Sequence, residues 1–292
     1  MMDEYQIDKA RVRASFHRAA DSYDASAILQ QEIRDRMFER LDLIKLKPAT
    51  ILDAGCGTGH ASLALGKRFS GSQVLSLDIA LGMLQKTLAQ QPLFKRILGL
   101  NRAAAICADI EQLPLANASV DLVWSNVAIQ WCNDLDQAFG EMHRVLRPEG
   151  LVMFSTFGPD TLKELRAASS TDPAHVHVSR FIDMHDIGDA LVRAGFSAPV
   201  LDVERFVLTY DDVMSVMRDL KAIGAHNAAA GRPRGLLGRG FLQKLTAAYE
   251  QFRSEGKLPA TYEVVYGHAW KPAHSKTSGV STVEFHPKKR SV

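Results

Sequence analysis

Asp53-Ala54-Gly55-Cys56-Gly57-Thr58-Gly59 joins a carboxylate to three glycines at alternate positions. Turns without side chains let a ligand approach backbone N–H groups, and a helix starting there adds the positive end of its dipole. The spacing G-x-G-x-G is not the G-x-G-x-x-G of dinucleotide turns, so the glycines alone leave packing and ligand binding both open. Two aspartates narrow the choice. Asp78, 19 residues after Gly59, is placed to accept hydrogen bonds from both hydroxyls of a ribose. Asp109, in Ala108-Asp109-Ile110-Glu111, is placed to accept from an exocyclic amine such as that of adenine. Either aspartate by itself is equally a helix cap. Both together, at successive strand ends beside the glycines, point to a nucleoside-bearing ligand.

That chemistry requires strands that end at those positions. Residues 50–54 read as a short buried strand that stops at the glycine loop, followed by a helix over 60–69. A strand over 73–77, a helix over 80–91, a strand around 106–108 and a strand over 120–125 continue the alternation, which implies a parallel sheet. Asp134 reads as the cap of a helix whose apolar face is Leu135, Ala138, Phe139, Met142 and Val145. Arg147-Pro148-Glu149-Gly150 is expected to end that helix before a strand over 151–156. A helix over 183–194, a strand near 200–208 and a last strand over 261–270 complete the series. Ahead of it, Ile28, Ile33, Met37, Leu41 and Ile44 recur at helical spacing, giving two amphipathic helices split near Asp21-Ser22-Tyr23-Asp24. Between the last two strands, Val213, Val216, Met217, Leu220 and Ile223 form one helical stripe and Phe241, Leu242, Leu245, Tyr249 and Phe252 another. The breaker-rich Gly231-Arg232-Pro233-Arg234-Gly235 separates them.

The expected organisation is a helical cover over 1–47, an α/β core over 48–208, a helical lid over 209–258, a last core strand over 259–271 and a mobile tail over 272–292. With 46% hydrophobic residues among 292, the chain can bury a large core and is not disordered as a whole. Its formal charge of +2 does not fit a protein that neutralises many phosphates, so no nucleic-acid partner is expected. No apolar run reaches membrane-span length. Cys56, Cys107 and Cys132 show no C-x-x-C spacing, and Met1-Met2-Asp3-Glu4 lacks a cationic region leading into an apolar one. Free thiols, no metal site and a cytoplasmic location are the expectations.

Over residues 48–157 the sequence resembles the class I S-adenosylmethionine-dependent methyltransferases. The resemblance implies a Rossmann-like seven-stranded, mostly parallel sheet with the last strand antiparallel and helices on both faces. It implies S-adenosylmethionine as cofactor, with Asp53, Gly55, Gly57 and Gly59 at its methionine part, Asp78 at its ribose and Asp109 with Ile110 at its adenine. Met83 matches an apolar position against the adenine, or is a plain helix-core methionine. Ser125 closes the fourth strand beside this site. That strand continues into Asn126-Val127-Ala128-Ile129-Gln130-Trp131 and lacks the Asn/Asp-Pro-Pro-aromatic tetrad of amino-methyltransferases.

Further segments resemble the malonyl-acyl carrier protein O-methyltransferases of biotin synthesis. These are Ala19-Ala20-Asp21-Ser22-Tyr23-Asp24, Ala128-Ile129-Gln130-Trp131, Gly158-Pro159-Asp160-Thr161-Leu162-Lys163-Glu164-Leu165, Phe181-Ile182-Asp183-Met184-His185-Asp186, Leu220-Lys221-Ala222-Ile223-Gly224-Ala225-His226-Asn227 and Ala260-Thr261-Tyr262. The resemblance implies methyl transfer to the free carboxylate of a malonyl thioester, carried by acyl carrier protein or coenzyme A. Tyr23, Asn126 and Gln130 are then candidates to meet the acceptor, and Lys221 or His226 to orient its carboxylate. Eight Lys and Arg against three acids over 218–257 would steer an acidic carrier, or are solvated helix faces. The acceptor site needs no second subunit, which argues for a monomer. Two rivals stay open: a methyltransferase for another small acid or quinone precursor, and a methyltransferase-like assembly factor of respiratory complex I.

Overall fold

The computed structural model describes residues 5–90, 104–169, 181–225, 228 and 239–273. The chain enters through α1 (Lys9–Ala19), α2 (Tyr23–Ser26) and α3 (Ile28–Asp42), then alternates β1 (Thr50–Ala54), α4 (His60–Arg68), β2 (Gln73–Asp78), α5 (Leu81–Ala89) and β3 (Ala104–Cys107). After β4 (Val120–Asn126) come α6 (Leu135–Val145), β5 (Leu146–Phe157), α7 (Lys163–Ser169), α8 (Met184–Arg193) and β6 (Ser197–Tyr210). The last elements are α9 (Val213–Ala222), α10 (Arg239–Glu250) and β7 (Leu258–Trp270).

The seven strands form one sheet in the order β3-β2-β1-β4-β5-β7-β6. β1 to β5 run parallel, and β7 lies antiparallel between β5 and β6. The chain therefore builds outward from β1 in one direction and from β4 in the other, which opens a crevice at their carboxyl ends. Alternate residues of each inner strand face opposite cores. Ile51, Leu122 and Trp124 pack on one side with Met37, Leu65 and Tyr249, while Leu52, Val123 and Val152 pack on the other with Phe139, Met142 and Leu191. Helices thus cover both faces, and the inner strands β1, β4 and β5 are apolar on both, as a buried parallel sheet requires.

Caps fix several helix starts. Asp134 accepts a hydrogen bond from Gln137 N at 2.9 Å, and Ala138, Phe139, Met142 and Val145 are buried along α6. Asp183 and Asp212 cap α8 and α9 in the same way. Three extents differ from the reading of the sequence. β5 begins at Leu146, because Leu146 is fully buried opposite Val120 and the Glu149–Gly150 backbone is hydrogen-bonded to Lys271. Arg147-Pro148-Glu149-Gly150 is therefore an irregular stretch within a strand, with Glu149 at φ 64°, and not a turn ahead of one. β6 and β7 reach Ser197–Tyr210 and Leu258–Trp270, longer than expected, because twelve pairs hold them together from Ser197↔Trp270 to Tyr210↔Leu258. The helical cover also holds a third, four-residue helix, α2, at the expected break.

Candidate active site

The glycine loop leaves β1 at the crevice. Gly55, Gly57 and Gly59 have φ of +82°, +54° and +92°. At Gly55 a Cβ would also lie 2.2 Å from Ala128 Cβ, so both backbone and space demand glycine there. The loop is closed by its own N–H groups. Gly55 N and Cys56 N donate to Leu77 O at 2.8 and 2.9 Å, Gly59 N donates to Cys56 O at 2.9 Å, and Gly57 N donates to Asp78 Oδ2 at 2.9 Å. Asp78 also accepts from Ala80 N at 2.8 Å through Oδ1. Each of its oxygens keeps a lone pair for a ligand hydroxyl. Burial pushes the Asp78 carboxyl up to about 6 despite these donors. Asp53 is 1% exposed, accepts from Ser62 Oγ at 2.6 Å, and is pushed by burial up to about 7.

One cavity, about 1,380 Å³ with its mouth included, joins most of the residues singled out in the sequence. Gly55, Gly57, Asp78, Met83, Asp109 and Ile110 line one part of it. Met83 is 1% exposed and packs with Ala80 and Ala20, so it serves the core and the cavity wall together. Asp109 Oδ1 accepts from Lys9 Nζ at 2.9 Å and from Glu111 N at 3.1 Å. Lys9 also contacts Glu111, whose Oε1 in turn accepts from Asn133 N at 2.7 Å. The first turn of α1 is thereby fixed to the wall that carries Asp109. No spacing signal marks Lys9, which stands 100 residues from Asp109.

Tyr23, Asn126 and Gln130 line the same cavity. Burial, with the negative charges of Asp78 and Asp24, raises the Tyr23 hydroxyl well above its ordinary pKa, so it is a neutral donor at physiological pH. Asn126 is engaged at both ends of its amide, donating to Gln30 O at 3.1 Å and accepting from Ser155 Oγ at 2.9 Å. Gln130 donates to Val127 O at 2.8 Å, while its buried Oε1 has no partner among the described residues. An orphaned acceptor on a cavity wall fits a ligand donor. Trp131, in the single turn Ile129–Trp131 after β4, meets Phe16 of α1 edge-on at 5.4 Å and closes the wall between the two. Cys132 also lines the cavity, and burial pushes its thiol up to about 12, which removes it as a nucleophile.

Other candidates sit elsewhere. Ser125 is fully buried, donates to Ala54 O at 2.8 Å and does not line the cavity. Gly59 and Lys221 do not line it either, and Lys221 is exposed on α9. His226 lies outside the described residues. The far part of the cavity was not anticipated as a wall. Phe157, Leu162, Leu165, Phe181, Leu220 and Tyr262 make it apolar. Most of these stand in the segments quoted for the family resemblance, which was the available signal. Buried Glu164 and Glu263 hold this wall by bonding Thr261 N at 3.0 Å and Asp160 N at 2.8 Å.

The methyltransferase domain family (Methyltransf_11) matches residues 52–154, from β1 through most of β5. A protein of Methylovorus sp. (strain MP688), named malonyl-[acyl-carrier protein] O-methyltransferase, is 72% identical over 288 residues, 98% of this chain and 97% of its own. The chain belongs to the malonyl-[acyl-carrier protein] O-methyltransferases. A second O-methyltransferase of that name, from Gallionella capsiferriformans (strain ES-2), is 57% identical over 272 residues, 93% of this chain and 94% of its own. Because the likeness to these O-methyltransferases spans the whole chain, it takes in the cover and α9 and α10 as well as the sheet. Among solved structures, the YcgJ protein of Bacillus subtilis matches with a TM-score of 0.57 at 15% identity, over 81% of this chain and 97% of its own, which is a likeness of fold.

Proposed function

We propose that this protein transfers a methyl group from S-adenosylmethionine to the free carboxylate of malonyl-acyl carrier protein, giving the methyl ester that enters biotin synthesis. The observation that carries this reading is a single cavity running from Asp78 and Asp109 to the apolar wall of Phe157, Leu162 and Phe181. When bound, the cofactor supplies a methyl group on a positively charged sulfur. Gly55, Gly57 and Asp53 would hold its methionyl part, Asp78 its ribose, and Asp109 with Met83 and Ile110 its adenine.

The acceptor carboxylate is already a nucleophile, so no general base is needed. The work of the chain is to place the carboxylate in line and to exclude water. Opposite charges disappear as the ester forms, and an apolar wall favours that change over water, which solvates the separated charges. Tyr23 donates from the cover, and Gln130 Oε1 offers an acceptor. Among the described residues, Lys9 is the cation that lines the cavity, and it is paired with Asp109 and Glu111. Lys221, being exposed, suits steering of the carrier better than contact with the malonyl group.

The membership of the whole chain favours this acceptor over a quinone precursor or an assembly role. No described helix is long and apolar enough to cross a membrane, in keeping with an acceptor delivered by a diffusing carrier. A monomer in the cytoplasm is the simplest setting for the reaction.

Intact-mass spectrometry tests the proposal. Incubation with S-adenosylmethionine should add one methyl to malonyl-acyl carrier protein and none to acetyl-acyl carrier protein, which lacks the carboxylate. Transfer to both, or to neither when cofactor binding is confirmed, would redirect the search to another acceptor.

A further inference from the structure

A smaller pocket opens beside the main cavity. It shares Gly55, Gly57 and Asn126 with the cavity and adds Arg34, Asp53 and His60. Arg34 stands on α3, and its side chain is 19% exposed. Its guanidinium pairs with Asp35, the next residue, through Nε and Nη2 at 2.9 and 2.8 Å. Asp35 is 59% exposed, and so open a pair contributes little. Nη1 has no protein partner among the described residues.

The cofactor of the proposed reaction ends in an amino acid, with an ammonium and a carboxylate on one carbon. Such an end needs an anion and a cation close together, and the carboxylate needs donors. Four N–H groups of the glycine loop, those of Gly55, Cys56, Gly57 and Gly59, are already spent on Leu77 O, Asp78 and Cys56 O, which leaves Thr58 N and the first turn of α4 as its backbone donors. None of these carries a full charge, so a cationic side chain beside them would give the carboxylate its stronger partner. Asp53 lines this pocket, and an ammonium beside it would favour its ionised form. The other carboxylate there, Asp24, is engaged by Thr58 Oγ1 at 2.6 Å and faces His60 Nε2 at 3.2 Å. His60 is thus turned to Asp24, which leaves Arg34 as the permanently charged group with a free edge.

We propose that Arg34 binds the α-carboxylate of the cofactor's methionyl end, in a pocket where Asp53 serves its ammonium. The proposal rests on the S-adenosylmethionine reading above. It makes α3, an element outside the sheet, part of the cofactor site. It also explains why a guanidinium sits largely covered beside the glycine loop with only its own neighbour as partner.

Calorimetry with two ligands tests it without any turnover. S-adenosylhomocysteine carries the amino-acid end, and 5′-methylthioadenosine is the same nucleoside thioether without it. Arg34→Met and Arg34→Gln should each weaken S-adenosylhomocysteine by about 10- to 100-fold, the loss of a charge-assisted pair, and leave 5′-methylthioadenosine unchanged. Arg34→Lys should recover part of the loss. Unchanged binding of S-adenosylhomocysteine, or equal weakening of both ligands in both variants, would overturn the proposal. If the unsubstituted protein bound neither ligand, the cofactor reading would fall, and this inference with it.

Discussion

Two buried carboxylates sit where the cofactor site meets the sheet, and their protonation links that site to folding. In the unfolded chain an aspartate ionises near 3.8, whereas folding lifts Asp53 to about 7 and Asp78 to about 6 through burial. Between those limits the folded protein holds protons that the unfolded chain has lost. These two groups therefore make stability fall as pH rises from about 4 toward 7, the reverse of an aspartate in a salt bridge. Denaturant unfolding of the cofactor-free protein at about pH 5 and about pH 7.5 should show a lower midpoint at the higher pH. Asp53→Asn, which can still accept from Ser62, should show a smaller drop. Parallel drops in the two proteins would remove Asp53 from this account. The residue types at this site were legible in the sequence, since the glycine spacing and the two strand-end aspartates sit in one unbroken stretch. Arg34 and Lys9 were not, because each reaches the site from a helix far away in sequence and neither stands in a periodic or motif position.

The elements themselves followed from apolar periodicity and caps, so α6, with its Asp134 cap and buried stripe, matched expectation almost residue for residue. What periodicity does not encode is which helix touches which. α1 lies on the start of α5, where Gly82 N donates to His17 Nδ1 at 2.9 Å and Lys86 pairs with Asp21 at 2.6 Å. A Cβ at Gly82 would stand 2.8 Å from His17 O and 2.9 Å from its Nδ1. In the sequence this glycine is only a weak point in a helix, and the close approach that requires it comes from a residue 65 positions away. Gly82→Ala should therefore destabilise by about 1–3 kcal/mol through overpacking, although alanine is the better helix former by about 1 kcal/mol. It should also expose the cover to limited proteolysis and weaken binding of S-adenosylhomocysteine. Gly66, on α4, is the control, because a Cβ there meets only Val74 Cγ2 at 3.7 Å. Gly66→Ala should be neutral or stabilising. Equal effects of the two substitutions would mean that α1 does not depend on Gly82 for its seat.

At the scale of the whole molecule, the nearly balanced charge conceals an uneven distribution. By sequence, residues 218–257 hold eight Lys and Arg against three acids, a net +5. Folding moderates it, since Lys257 pairs with Asp211 at 2.5 Å, Arg218 lies 4.0 Å from Asp212 and Arg253 pairs with Glu250 at 2.6 Å. Asp211 and Asp212 stand just outside that window, and over 211–257 eight cations face five acids, a net +3. Proximity in sequence overstated the field because the neutralising partners come from the turn ahead of α9. A segment of net charge +3 still draws an acidic carrier protein, but its effect belongs to encounter and not to the chemical step. The value of kcat/KM for malonyl-acyl carrier protein should fall several-fold from low to physiological ionic strength. With a malonyl thioester of N-acetylcysteamine, a small substrate lacking the acidic carrier, it should change little. Lys221→Gln together with Lys244→Gln should flatten the first salt dependence while leaving the small substrate unaffected, because Lys221 is exposed and neither residue lines the cavity. Equal salt dependence for the two substrates would place the electrostatic attraction inside the cavity, at Lys9 and its acidic partners, and not on the helices that flank it.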